Sequence, residues 1–128
     1  MPHLFLVEDQ PTDLELIAHA LQRCRAPIFV HKFQSGQEAI QFLKHQPTLF
    51  DIAIVDLHLP DLSGIEVIET LRKVPAGRFA QILAISGAED PESRAAAMAS
   101  GANAFLVKNW DATQFQQELT RAVEHFLV

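Results

Sequence analysis

F-D-I-A-I-V-D-L-H-L-P-D-L-S-G, residues 50–64, is the stretch from which the rest of the chain can be read. Ile52, Ala53, Ile54 and Val55 form a continuous apolar run, bounded by Asp51 and by a turn-rich tail. That is the pattern of a short strand buried on both faces. The run delivers Asp56 to the carboxyl end of the strand, with Leu57 and Leu59 beside it. Pro60, Asp61, Ser63 and Gly64 then make a tight loop before the next amphipathic segment. A carboxylate at the end of a buried strand is costly unless something pairs with it. The question is what the fold brings to Asp56.

Upstream, residues 3–7 (H-L-F-L-V) predict an apolar strand that stops at Glu8 and Asp9. Pro11 and Thr12 open a helix, with Asp13 and Glu15 suited to the positive end of its dipole. Leu14, Ile17, Ala18 and Leu21 follow the spacing of one buried face, and Pro27 ends the segment after Arg23 and Arg25. Residues 28–33 read as a second strand. Ser35 and Glu38 have capping-box spacing ahead of a helix with Ala39, Ile40, Phe42 and Leu43 on its apolar side, closed by Pro47.

Downstream, Ser63 caps a third helix, with Ile65, Ile68 and Leu71 on one face and Glu66, Glu69 and Arg72 largely elsewhere. Pro75 and Gly77 break it. Residues 81–85 form a fourth apolar strand ending at Ser86 and Gly87. Asp90 and Pro91 start a fourth helix whose core side reads as Ala95, Ala96, Ala97, Met98 and Ala99. Such small side chains bury little area, so this helix is expected to be the least firmly anchored. Gly101 caps it, and residues 104–107 form a fifth strand ending at Lys108. Asp111 or Thr113 opens a last helix, with Phe115, Leu119, Ala122, Val123 and Phe126 facing inward. Five two-face-buried strands alternating with five helices predict an α/β fold, a doubly wound parallel sheet covered on both sides.

At 128 residues the chain is expected to form one domain, residues 1–128, with no linker, repeat or basic run. No apolar run approaches the roughly 18 residues of a membrane span, and no signal-peptide pattern opens the chain. The single cysteine, Cys24, has no internal disulfide partner and reads as a small helix side chain. These features point to the cytoplasm. A net charge of −6 argues against direct nucleic-acid binding.

Every predicted strand but the second ends in a chemically useful residue: Glu8 and Asp9, Asp56, Ser86, Lys108. Open parallel α/β sheets bind ligands outside the carboxyl ends of their strands, which places these residues together. Taken singly each is ordinary: acids after strands decorate helix N-termini, a serine caps a turn, a lysine is solvated. Gathered at one edge, three carboxylates cannot all ionise without a cation. An oxygen-rich site of that kind suits Mg²⁺. Lys108 adds a compact positive charge and Ser86 a hydroxyl, both suited to a phosphoryl oxygen. The combination implies phosphoryl transfer to a carboxylate nucleophile.

At these residues the sequence resembles the receiver domain of two-component response regulators, over essentially its whole length. The carriers are L-V-E-D-Q-P (residues 6–11), V-D-L-H-L-P-D-L-S-G (55–64), A-I-S-G (84–87) and G-A-N-A-F-L-V-K (101–108). The resemblance implies a flavodoxin-like, CheY-like sheet of strand order 2-1-3-4-5. It makes Asp56 the phosphoacceptor for a histidine kinase or phosphotransfer protein. Asp9 would bind Mg²⁺ directly, Glu8 through metal-bound water, and the backbone carbonyl of His58 would complete the protein ligands. Lys108 would contact Asp56 and the phosphoryl group. Ser86 would swing to a phosphoryl oxygen, and Phe105 would turn into the space vacated, repacking the surface of helix four, strand five and helix five for a downstream protein. Such a chain is a signalling phosphoacceptor rather than an enzyme acting on other substrates. A second copy of the chain is a further candidate partner. V-E-D-Q-P-T-D-L-E-L-I (7–17) also looks like stand-alone regulators that partner phytochrome-type kinases. The chain ends about where a receiver ends, which suits a stand-alone regulator or a segment of a longer protein.

Two positions depart from the family pattern. Asn109 stands where a proline in a cis peptide usually follows the lysine. A cis bond before a non-proline residue costs about 2.5–4 kcal/mol, so Lys108–Asn109 is expected to be trans, with the loop into Trp110 re-routed. Phe105 stands where many members carry tyrosine; lacking a hydroxyl to solvate, its ring is expected to favour burial. His58, two residues past Asp56, is read as an exposed side chain that lends its backbone to the metal. The competing readings are a receiver-like adaptor that binds a partner without phosphorylation, and a flavodoxin-like cofactor binder. The acidic first loop would repel a cofactor phosphate. A haloacid-type phosphatase needs a second aspartate where His58 stands.

Overall fold

The computed structural model describes residues 1–87, 90–108 and 111–127. Among these the elements run β1 (His3–Val7), α1 (Pro11–Gln22), β2 (Phe29–Phe33), α2 (Gly36–His45), β3 (Ile52–Asp56), α3 (Gly64–Lys73), β4 (Gln81–Ser86), α4 (Pro91–Ser100), β5 (Ala104–Val107) and α5 (Ala112–Phe126). The strands form one parallel sheet of order β2-β1-β3-β4-β5. The chain reverses its direction of travel across the sheet between β1 and β3, and this switch point brings their carboxyl ends side by side.

Alternation along β3 divides the core. Ile52 and Ile54 pack with Leu4, Leu6, Ile17, Leu83, Ile85, Leu119 and Val123 beneath α1 and α5. Ala53 and Val55 pack with Phe5, Val7, Val67, Ile68, Leu71 and Ile82 on the side of α2, α3 and α4. With both faces covered, all five β3 residues are buried, as their unbroken apolar run predicts. Cys24 is buried and free.

Helix ends follow the caps in the sequence. Pro11 occupies the first turn of α1, the Ser35 hydroxyl accepts from the Glu38 amide, and Ser63 accepts from the Ile65 amide. Of the two residues proposed to open α5, Asp111 is the cap, accepting from the Thr113 and Gln114 amides. Gly101 closes α4 at φ 123°, a backbone conformation that L side chains rarely adopt.

Of the five residues assigned to the core side of α4, only Ala97 is buried; Ala95, Ala96 and Ala99 are exposed and Met98 is 44% exposed. An all-apolar run carries no period, so composition could not tell the buried face from the outer one. α4 therefore rests on a single alanine and its flanks, consistent with a weakly anchored helix. No helix among the described residues is long and apolar enough to cross a membrane.

Candidate functional site

The strand ends gather the predicted residues. Asp56, the last residue of β3, is 2% exposed. Its Oδ1 accepts from the His58 amide at 2.9 Å and its Oδ2 from Lys108 Nζ at 3.0 Å. The loop that follows is folded tightly against it. The Gly64 amide donates to the Leu57 carbonyl at 3.0 Å, and a Cβ on Gly64 would collide with the backbone of Asp56 and Leu57. Glycine at this position is a packing requirement of the turn that follows β3.

Glu8 is fully buried just past β1, its amide bonded to the Phe33 carbonyl at 3.0 Å. Asp9 beside it is half-buried, with the Gln10 side-chain amide 3.2 Å from its Oδ2. Ligand oxygens of Glu8, Asp9 and Asp56 lie within 4.8 Å of one another. Glu8 Oε1 is buried and sits 2.7 Å from Lys108 Nζ in an ion pair, yet off the line of a hydrogen bond. Burial, and then the neighbouring Asp56, push the Glu8 carboxyl up to about 8, against the pull of Lys108. The acids are thus short of positive charge. An all-oxygen, partly buried set with an unsatisfied carboxylate oxygen fits a hard divalent cation.

Lys108 leaves the end of β5 with its amide on the Ser86 carbonyl at 2.8 Å, the last bond of the β4–β5 pairing. Burial lowers its ammonium pKa, but Glu8, Asp56 and Asp13 raise it by more, and it stays charged. Asp13 is the residue that the sequence reading missed. Assigned to the α1 dipole, it instead holds Lys108 Nζ at 3.0 Å. A signal was available: Asp13 stands in the first turn of the helix that follows the acidic end of β1.

Ser86 ends β4 fully buried, its hydroxyl 3.0 Å from His58 Nε2. The His58 side chain is exposed as expected, but it also touches the serine, which the sequence did not reveal. An open cleft of roughly 610 Å³ runs from Asp9 past His58 and Pro60 to Asp90 and Glu92, giving a reactant an approach to the acids. Phe105 is half-buried against the α3 side of the core, with the Arg94 guanidinium carbon 4.6 Å from its ring centroid. The Lys108–Asn109 peptide and the loop at Trp110 lie outside the described residues.

Comparison with known proteins agrees with this geometry. Residues 4–120 match the family model of the response regulator receiver domain. The response regulator RppA of Synechocystis is 32% identical over 105 residues, 82% of this chain; the chain spans 43% of RppA's own length. The crystal structure of the phosphorylated cyanobacterial phytochrome response regulator RcpA superposes with a TM-score of 0.89 at 24% identity, covering 98% of this chain and 94% of that one. The Mn²⁺-bound form of the response regulator Rcp1 superposes with a TM-score of 0.87 at 20% identity, covering 99% and 94%. The two structural likenesses establish the CheY-like fold, and the family model goes further: the chain belongs to the response regulator receiver domain family.

Proposed function

We propose that the chain is a phosphorylation-dependent receiver of a two-component system, with Asp56 as the phosphoacceptor. The observation that carries this reading is the placement of Asp56: a buried carboxylate clustered with Glu8 and Asp9, with Oδ2 3.0 Å from the Lys108 ammonium. One Asp56 oxygen forms a bond to phosphorus as the phosphorus–nitrogen bond of a donor phosphohistidine breaks. The bonding pair leaves with the imidazole nitrogen, which then takes a proton from solvent. Glu8, Asp9, Asp56 and the His58 carbonyl are the residues that would hold Mg²⁺. That ion would supply charge neutralisation between the acids and the phosphoryl oxygens. Lys108 holds the acceptor oxygen and receives a phosphoryl oxygen, and Ser86 donates its hydroxyl to another.

Ser86 moves toward the phosphoryl group, and Phe105 follows it. α4, held by one buried alanine, gives way at modest free-energy cost. The β5 face and its neighbouring helices then present a new surface to a downstream protein. The donor is a histidine kinase or phosphotransfer protein. Residues 7–17 make phytochrome-type kinases the first to try. The setting is cytoplasmic, the single domain takes in residues 1–128, a second copy is a further candidate partner, and nucleic acid is not bound directly.

The test is labelling of the folded chain by acetyl phosphate with and without Mg²⁺, then phosphotransfer profiling against candidate kinases. Mg²⁺-dependent labelling that disappears in Asp56→Asn is expected. A folded chain that takes no label under any of these conditions would instead be a receiver-like adaptor acting without phosphorylation.

A further inference from the structure

Lys108 Nζ has three carboxylate neighbours: Glu8 Oε1 at 2.7 Å, Asp13 Oδ2 at 3.0 Å and Asp56 Oδ2 at 3.0 Å. Asp13 and Asp56 each accept a hydrogen bond from the ammonium, and Glu8 stands beside it as an ion-pair partner. They are not equivalent. Glu8 and Asp56 belong to the acid cluster and Asp13 does not. On the reading above, Asp56 becomes an acyl phosphate and Glu8 is drawn toward the cation, so neither can hold the ammonium unchanged through transfer.

Asp13 can. It stands in the first turn of α1, between the described cap of that helix and the buried Leu14 and Ile17 that fix the helix to the sheet. Its carboxylate is half-buried and reaches Nζ across 95 residues of sequence. Lysine is a point charge on a flexible four-carbon stem, and a fixed partner is what turns such a charge into a directed one. A charge-assisted bond from a rigid helix supplies that partner without entering the cluster that binds the metal.

We propose that Asp13 is a positioning residue: it aims the Lys108 ammonium at Asp56 while the phosphoryl group is transferred. This rests on the phosphoacceptor reading. Asp13 touches neither the phosphoryl group nor the attacking oxygen and acts only through Lys108. Its general interaction with the α1 dipole would affect stability and leave the transfer rate alone.

The experiment measures initial rates of labelling against acetyl phosphate concentration, with Mg²⁺, for the full chain and for Asp13→Asn and Asp13→Glu, each also in a Lys108→Ala background. Asp13→Asn is expected to lower the maximal rate about three- to tenfold, with little change in the half-saturating concentration. Asp13→Glu should recover most of that loss. In the Lys108→Ala background Asp13→Asn should cost nothing further. Full activity in Asp13→Asn, or an equal loss in both backgrounds, overturns the proposal. A wild-type chain that takes no label defeats the phosphoacceptor reading instead. The Lys108 ammonium resonance then decides the positioning claim: Asp13→Asn should broaden it by fast solvent exchange, and an unchanged resonance overturns it.

Discussion

The imidazole Nε2 of His58 lies 3.0 Å from the Ser86 hydroxyl. The serine is fully buried at the end of β4, whereas the histidine stands on the exposed rim of the β3–α3 loop. For Oγ to reach a phosphoryl oxygen it must leave the imidazole, and a neutral hydrogen bond nets about 1 kcal/mol. His58→Ala should therefore favour the state in which Ser86 faces the phosphoryl group. Titration with beryllofluoride, followed by amide resonances of β4 and α4, should show half-saturation at about fivefold lower concentration. An unchanged or higher midpoint would mean that the imidazole exerts no hold on the hydroxyl.

A second expectation follows from the buried Glu8, whose Oε1 accepts no hydrogen bond among the described residues. A divalent cation held by the folded acid cluster and not by the unfolded chain raises the melting temperature, so added Mg²⁺ should do so here. With the ion about tenfold above its dissociation constant the gain is about 1.4 kcal/mol, or about 5 °C for a chain of this size. Asp9→Asn removes a half-buried carboxylate that makes no ion pair with Lys108 among the described contacts, and should abolish the shift while leaving the metal-free melt nearly unchanged. A shift that survives in Asp9→Asn would place the ion elsewhere.

What could be read in advance divides along physical lines. β3 was legible because burial on both faces leaves an apolar run with no gaps, and the caps Ser35, Ser63 and Asp111 because their chemistry is local. The site acids were legible because the parallel topology places every strand end on one edge. α4 was not, since a run of alanines has no polar face to set its phase. Asp13 and Arg72 were both assigned to solvent-facing roles; their partners, Lys108 and Gly101, lie 95 and 29 residues away. Only the folded sheet brings those groups together.

Arg72 carries the third prediction. From the last turn of α3 its guanidinium donates to the carbonyls of Gly101 at 2.7 Å and Ala80 at 2.7 Å, to Arg78 at 3.0 Å and to Asn103 Oδ1 at 2.8 Å. The same Oδ1 accepts from the Ile82 amide at 2.7 Å, so one side chain ties α3, the α4 cap and the entry to β4 together. Lysine keeps the charge but not the planar fork, and would leave carbonyls without donors. Arg72→Lys should destabilise the fold by about 2 kcal/mol in urea denaturation. A loss within about 0.5 kcal/mol would show that water replaces the guanidinium at no net expense.

Asp61 gives a pH dependence whose sign can be worked out. From the loop after β3 it accepts from the amides of Gln37 at 2.8 Å and Gly36 at 3.1 Å, capping α2 from outside that helix. The Gln37 amide first, and then that of Gly36, hold its carboxyl below the ordinary value of 3.8. Between the folded and unfolded values the unfolded chain binds more protons, so stability rises with pH there. The contribution is fully present above the ordinary value and is lost as pH falls through the folded one. Asp61→Ala should therefore lower stability by about 1 kcal/mol at neutral pH, the cost of a lost cap. The gap to the wild type should close as the carboxylate protonates in acid. Urea midpoints for both chains across the acid range provide the check: a gap that stays constant through protonation would assign the loss to packing of the loop and not to the charged cap.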